Sequence, residues 1–448
     1  MKKIKTISKV LLCAAALAGS LAFVSCGKKD TKGEVRYLNF KPEVNDVYQE
    51  LAEIYEKETG VKVYIETAAN NSYESTLMAK MATDEAPTLF QINGPRGYAN
   101  WKEYCKDLSG TELYKHLSDK SLCVTDKGGV YGIPYVVEGY GIIYNKALTD
   151  KYFALPTRST SFKSMDEINT FDKLKALCDD MQARKADLGI KGVFASTSLK
   201  AGEDWRWQTH LANLPIYYEF KNNNVDLTSD ETHHINFEYG KNFKNIFDLY
   251  ITDSVIPAKN VGIKTVTDSM AEFALEDCVM VQNGNWAWGQ IAGVSGNKVL
   301  PENVKYLPIY TGVSGEESQG ICIGTENFYS VNKMASEEDQ KATEDFIYWL
   351  YSSPIGKDYV TNKLGFIAPF DTFSDNEKPT DPLAVEVLNW MSKPGITSVP
   401  WNFTLFPSQT FKDNFGSSLL QYAQGTKSWA KVSSDVVSDW AKESEASM

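Results

Sequence analysis

The chain has 448 residues, with 46 basic against 58 acidic side chains and a formal charge of −12. A surface this acidic disfavours nucleic acid and anionic lipid headgroups as partners, and a polyanionic ligand as well unless a local basic pocket overrides the average. With 43% hydrophobic and 23% charged residues the chain reads as a folded globular protein, and its length exceeds what one core holds, so two lobes or domains are expected.

Lys2, Lys3, Lys5 and Lys9 precede an apolar run from Val10 to Val24 that stops at Ser25-Cys26-Gly27-Lys28-Lys29. A basic start, a short apolar segment and small residues at its end make a secretory signal over 1–25, because the run is too short to span a bilayer. Cys26 stands where cleavage falls, and the segment resembles a bacterial lipoprotein signal. That resemblance implies lipidation of Cys26, a tether over 26–33, and an extracytoplasmic location, lipid-anchored on the periplasmic side or on the outer face of the plasma membrane. Phe23 stands where such signals usually carry Leu; ordinary cleavage near Ser25, with a soluble product, is the alternative. Five further cysteines (Cys105, Cys123, Cys178, Cys278 and Cys322) show no C-x-x-C pair and no metal-type spacing. Buried free thiols are the expectation, with Cys105 and Cys123 the only close pair.

Glu34 to Phe40 alternates and reads as a strand. In Glu43 to Glu58, Val47, Leu51, Ile54 and Tyr55 share one helical face, and Gly60 ends the helix. Val61 to Glu66 is a second strand, Ser72 to Met81 a second helix, and Thr88 to Ile92 a third strand. This order predicts a mostly parallel sheet with helices on its faces, whose ligands sit beyond the carboxyl ends of the strands. The loops Asn39–Glu43 and Gln91–Tyr98 then form the functional rim. Gly128 to Pro134 leads into Tyr135 to Asn145, where strand-like residues are interrupted by Gly139 and Gly141, as suits a crossing between lobes. Helices follow at Thr170–Arg184 and Tyr239–Tyr250, strands at Cys278–Gln282 and Val304–Ile309, and a helix at Ser336–Tyr351 with Ser336 as N-cap. The tail, Phe411 to Lys442, reads as two helices broken at Gly425.

The order of motifs resembles the family 1 extracellular solute-binding proteins, which include the maltose receptor and the oligosaccharide receptors of bacterial ABC sugar importers. Glu56-Lys-Glu-Thr-Gly60-Val-Lys-Val is similar to their first helix-to-strand junction. Tyr131-Gly-Ile-Pro-Tyr-Val-Val-Glu138-Gly-Tyr-Gly-Ile-Ile-Tyr-Asn-Lys146 resembles their first crossing segment. Val279-Met-Val-Gln-Asn-Gly-Asn-Trp286-Ala-Trp288 resembles their sugar-stacking segment. Asp345-Phe-Ile-Tyr-Trp-Leu350 and Gly365-Phe-Ile-Ala-Pro369 are similar to the helix and turn near their third crossover. The resemblance covers roughly 35–440. It implies an α/β fold of the periplasmic-binding-protein type II-like kind, with two lobes joined by a hinge and the ligand in the cleft. The lobes are expected at 34–140 with 311–353, and at 141–310 with 354–448.

A sugar presents weakly apolar C–H faces, which pack on aromatic rings, and hydroxyls, which need planar polar partners. The candidate loops hold both kinds of group. The resemblance assigns Trp286 as the stacking platform, with Asn285 beside it and Trp288 packed inside. Asp204 and Trp205 lie where the family has an acidic residue followed by a sugar-contacting aromatic; Arg206 is expected to pair with Asp204. Glu138, flanked by Tyr135 and Tyr140, marks the crossing. Lys41 and Glu43 follow the first strand, and Asn93 and Arg96 the third. Trp401 belongs to a late aromatic loop.

No P-loop, dinucleotide fingerprint, H-E-x-x-H or G-x-S-x-G element occurs, so no cofactor, metal or catalytic residue is assigned. The adjacent His233 and His234 read as solvated. The reading is a non-enzymatic monomer that captures an oligosaccharide and delivers it to the transmembrane permease subunits of an ABC transporter. An exported glycan-degrading enzyme and a surface glycan adhesin remain open, since catalytic carboxylates come together only in the fold. An amino-acid or polyol ligand is open on the same fold.

Overall fold

The computed structural model describes residues 32–68, 72–227, 229–374 and 376–446. The leader, Cys26 and the first part of the tether lie outside the described residues. From Lys32 the chain forms one compact unit. It is built on two sheets.

Eleven strands are present among the described residues: β1 Glu34–Asn39, β2 Lys62–Thr67, β3 Leu89–Ile92, β4 Val124–Asp126, β5 Gly129–Pro134, β6 Glu138–Asn145, β7 Met280–Gly284, β8 Val304–Leu307, β9 Gln319–Gly324, β10 Phe328–Val331 and β11 Thr397–Val399. The first sheet has the order β2-β1-β3-β10-β5-β4; β1 runs parallel to β2 and β3, and β10 antiparallel to β3 and β5. The second has the order β11-β9-β6-β7, with β8 also paired to β6, and β6 is antiparallel to β7, β8 and β9. The fold is therefore mixed α/β, with a parallel beginning as the early strand–helix alternation requires.

Local chemistry explains the elements. Helix Asn45–Thr59 buries Tyr48, Leu51, Ala52 and Tyr55, spaced three and four apart, and stops at Gly60, whose φ of 74° places it in the left-handed region. The buried stripe is rotated by about one residue from the expected one, taking Tyr48 in place of Val47. Helix Glu337–Ser352 is capped by Ser336, whose side chain accepts from the Asp339 N–H. The tail forms helices Gln409–Ala423 and Trp429–Ala446 around Gly425. Gly94–Trp101 is a helix rather than part of a rim loop. Gly139 and Gly141 lie within β6, so the first crossing is the short segment 135–137.

Each sheet is covered on both faces. One core under the first sheet joins Val35, Tyr48, Leu51, Tyr329 and Phe346; the other joins Leu77, Phe90, Ile92 and Trp101. The second sheet's cores hold Ile142, Phe194, Trp207, Phe247 and Trp440 in one, and Ile143, Phe273, Val281 and Ile321 in the other.

The chain crosses between the sheets at positions that differ from the expected boundaries. β9 pairs with β6, through Glu138 opposite Gly324, so it belongs to the second sheet; the second crossing is 325–327, not near 311. Val360, Leu364, Phe366 and Phe370 pack in the first core, whereas Leu383, Ala384 and Val387 pack in the second. The third crossing thus falls between 370 and 383 rather than at 353. Strand pairing and core membership decide these points, and neither is local in sequence. Cys105, Cys123, Cys178, Cys278 and Cys322 are free thiols, four of them buried.

Candidate solute-binding cleft

A cavity of about 460 Å³ opens where the strand ends of both sheets meet the crossings. The segment Phe40–Glu43 after β1 lines it, as do Asn93, Arg96 and Asn100 around the helix that follows β3. Glu138, which opens β6 just after the first crossing, and Glu326 and Asn327 of the second crossing form part of its wall. The second sheet's side contributes Trp205, Gln208, Thr209 and His210, then Trp286, then Phe403, Phe406 and Lys412.

Trp286 leaves β7 in a short 3-10 turn, Asn285–Ala287. Its indole folds back over Gly284 so closely that a Cβ there would stand 2.2 Å from the ring. Only a glycine lets the ring lie on that strand end. Trp205 stands 6.1 Å away between ring centroids, tilted by 54°, and His210 lies 5.4 Å from Trp286. Trp205 precedes a π-helical turn, Arg206–Leu211, whose wider spiral brings Gln208, Thr209 and His210 to the cavity together. Arg206 fixes that turn to the second sheet: it donates to the Gln282 carbonyl at 3.1 Å and to the hydroxyls of Ser198 and Ser269. The expected pair with Asp204 does not form, because those acceptors enclose the guanidinium.

Electrostatics set the other wall. Lys41 Nζ lies 2.7 Å from Glu138 Oε1, 3.6 Å from Glu43 and 5.6 Å from the centre of the Trp286 ring. Lys41 and Glu138 are 8% and 4% exposed as residues, so this is a buried ion pair. Burial works against the Lys41 charge, but Glu138 and Glu43 outweigh it and raise its pKa. Burial raises Glu138, with Lys41 pulling it back and Glu43 and Glu326 adding repulsion. Burial likewise raises Glu326, which accepts from Asn93 Nδ2 at 3.1 Å. His210 is pushed down to about 3 by burial and is neutral; its Nδ1 faces the Trp205 carbonyl at 3.4 Å, leaving Nε2 as an unpartnered acceptor. Arg96 Nη2 and Gln208 Nε2 are unpartnered donors. The cavity therefore combines flat indoles with unmet donors and an unmet acceptor, the mixture that holds a polyhydroxylated molecule.

Seven of the expected contact residues line the cavity: Lys41, Glu43, Asn93, Arg96, Glu138, Trp205 and Trp286. Five do not. Tyr135 is fully buried in the first core, stacked on Tyr329 at 4.5 Å. Tyr140 is buried and donates its hydroxyl to the His210 carbonyl at 2.8 Å. Asn285 accepts from the Gly139 N–H at 2.9 Å, which ties the start of the Trp286 turn to β6. Asp204 is 4% exposed and pressed on Gly416. Trp401 is 7% exposed, laid on Gly324 and packed 5.0 Å from Phe403. These side chains support the wall from behind. Trp288 packs against the second core. Glu326, His210, Gln208 and Lys412 were not anticipated. Glu326 had a usable signal, since it follows a strand at its carboxyl end; Lys412 had none, sitting in a tail helix remote in sequence. His233 lies 3.8 Å from Asp230, and among the described residues no group of three or more His, Cys, Asp and Glu is placed to hold a metal.

The family model described as bacterial extracellular solute-binding protein matches residues 50–386. Over 114 residues the chain is 29% identical to the melibiose/raffinose/stachyose-binding protein MelE of Bacillus subtilis (strain 168), a stretch that is 25% of this chain and only 26% of the relative's length. Among solved structures the fold is similar to a chitin oligosaccharide binding protein (TM-score 0.68, 16% identity, 92% of this chain and 98% of that one). It is also similar to a sugar transporter of Bacillus licheniformis in complex with stachyose (TM-score 0.64, 19% identity, 92% and 100% covered). With a two-sheet α/β fold, a cavity at the crossings and a family match over well more than half of its length, the chain belongs to the bacterial extracellular solute-binding proteins.

Proposed function

We propose that this protein is the receptor of a bacterial ABC importer and that it captures an oligosaccharide in the cleft and delivers it to the permease subunits. The observation that carries this is the pairing of the Trp205 and Trp286 indoles with unmet polar groups of Arg96, Gln208 and His210 in one cavity of about 460 Å³. That volume is in the range of small-molecule sites. The names of the similar proteins, which refer to raffinose, stachyose and chitin oligosaccharides, point to the same ligand class. Ligand touching both sheets shifts the molecule towards a closed form, which the permease recognises. A Kd of about 1 μM corresponds to roughly 8 kcal/mol, within reach of two stacked rings and several charge-assisted hydrogen bonds.

Members of this family bind solutes rather than transform them. Here the same reading applies: Glu138 is engaged by Lys41 and Glu326 by Asn93, which suits holding a ligand more than donating a proton to it. Placement outside the cytoplasm follows from the family, and among the described residues no helix is long and apolar enough to cross a membrane. Attachment through an acylated Cys26, and a monomeric state, complete the proposal.

The test is calorimetric and thermal-shift titration of the purified protein against raffinose, stachyose, xylo-oligosaccharides, chitin oligosaccharides and trigalacturonate. A ligand is expected to raise the melting temperature and to be recovered intact. Absence of binding across the panel, or cleavage of the bound glycan, refutes the reading.

A further inference from the structure

Three cations and five carboxylates line the cleft, and only the carboxylates are all provided for. Glu138 and Glu43 share Lys41. Glu74 accepts from Trp101 Nε1 at 2.9 Å, Glu203 from the Val266 N–H at 3.1 Å, and Glu326 from Asn93 at 3.1 Å. Arg96 and Lys412 have no such partner: among the described residues neither makes an ion pair within 4.0 Å, and Arg96 Nη2 is buried with no hydrogen bond. Burial lowers both pKa values. For Arg96, Asp230 opposes it; for Lys412 the opposing charges are Glu326, Glu74 and Asp413. Arg96 belongs to helix Gly94–Trp101 on the first sheet's side and Lys412 to helix Gln409–Ala423 on the second's, so two cations with no ion-pair partner in contact face one cavity from opposite walls.

A neutral saccharide closing over these half-buried cations would take water from both without bringing a counter-charge into contact, an arrangement that proteins avoid. From Arg96 and Lys412 in this cleft we propose that the natural ligand is an acidic oligosaccharide, carrying the carboxylate of a uronic acid residue, and that these two side chains clamp that carboxylate. The inference rests on the receptor reading above and narrows its ligand class. Guanidinium presents two parallel donors to a carboxylate, and the lysine adds a point charge from the other wall. Gln208 Nε2, also unpartnered, supplies a neutral donor from the same cleft. The formal charge of −12 repels densely charged chains, so the occupant is one with few carboxylates rather than a polyanion.

The experiment titrates the purified protein with trigalacturonate, with raffinose as a neutral trisaccharide, and with a monosulfated trisaccharide. Trigalacturonate is expected to bind at least about tenfold more tightly than raffinose, since a charge-assisted hydrogen bond is worth more than the free energy of one decade. That advantage should shrink in R96Q and in K412Q and narrow as salt is raised. Thermal melts of the unliganded variants establish that they are folded, and R96K keeps the charge while losing the fork, so it should fall between. Equal or tighter binding of raffinose, a preference for the sulfated sugar over the uronate, or variants that keep the full preference each overturn the inference and leave the receptor reading standing. Failure of every saccharide to bind overturns the receptor reading itself.

Discussion

Replacing Lys41 by Met removes one half of the buried pair at the centre of the cleft. At an N–O distance of 2.7 Å and an effective dielectric of about 20, the gross attraction is about 6 kcal/mol, much of it offset by the desolvation of both groups. Losing the ammonium leaves Glu138, 4% exposed, beside Glu43 and Glu326. A destabilisation of about 3–5 kcal/mol is expected at pH 8. The carboxyl can escape by taking a proton, and this sets the pH dependence. Its folded-state pKa is already raised by burial and rises further without Lys41. A group raised in this way stabilises the fold fully below its unfolded pKa, and that contribution is lost as pH rises through the folded value. The penalty of K41M should therefore shrink by up to about 1.4 kcal/mol per unit as pH falls from 8 towards 5. E138Q, added to K41M, should restore part of the stability at pH 8, since the orphan charge is gone. Urea unfolding followed by tryptophan fluorescence at pH 5, 6, 7 and 8 measures the wild type, K41M and the double variant. A penalty under about 1 kcal/mol at pH 8, one that is flat with pH, or no rescue by E138Q refutes the argument.

Trp286→Ala should weaken saccharide binding by about 10- to 100-fold while shifting the melting temperature little, because the half-buried ring contributes more to the cavity than to the core; calorimetry with unchanged affinity would contradict this. Gly284→Ala places a methyl 2.2 Å from the Trp286 ring and should lower affinity while moving the emission maximum, and an unperturbed spectrum counts against the geometry. Asp204 is raised to about 7 by burial, so the stability it contributes is present at acid pH and lost as pH rises through 7. Relative to D204N, the wild type should therefore lose stability between pH 5 and 8 in urea titrations, and a constant difference would exclude the shift. Reductant should leave the melting temperature unchanged, since Cys105 and Cys123 are separate thiols.

The early strand–helix alternation was legible because its elements carry their own apolar pattern: Leu51 and Tyr55 mark a helix face without reference to any partner, although the buried stripe takes Tyr48 rather than Val47. The cavity residues Lys41, Glu43, Asn93 and Arg96 were legible for a related reason. They follow strand ends, and strand ends open onto the rim of such sheets. Aromatic identity was a poorer guide. Tyr135, Tyr140 and Trp401 have the chemistry of a sugar platform, yet each spends its ring on a neighbour: Tyr329, His210 or the strand at Gly324. Trp205 and Trp207 sit two apart, and the π-helical turn sends one to the cleft and the other to the core.

By itself the sequence determined the α/β class and the order of the early elements, which short stretches carry in their periodicity and spacing, and it pointed to the family through the resemblance of its motifs. Which strand joins which sheet, where the second and third crossings fall, and which charged groups meet at the cleft were decided only in three dimensions. Glu326 and Lys412 are 86 residues apart in sequence and come to line one cavity with Lys41 and Arg96 because β9 pairs with β6 and the tail helix packs on the π-helical turn. The physical reason is that burial and pairing depend on contacts between distant segments, and local pattern does not report them.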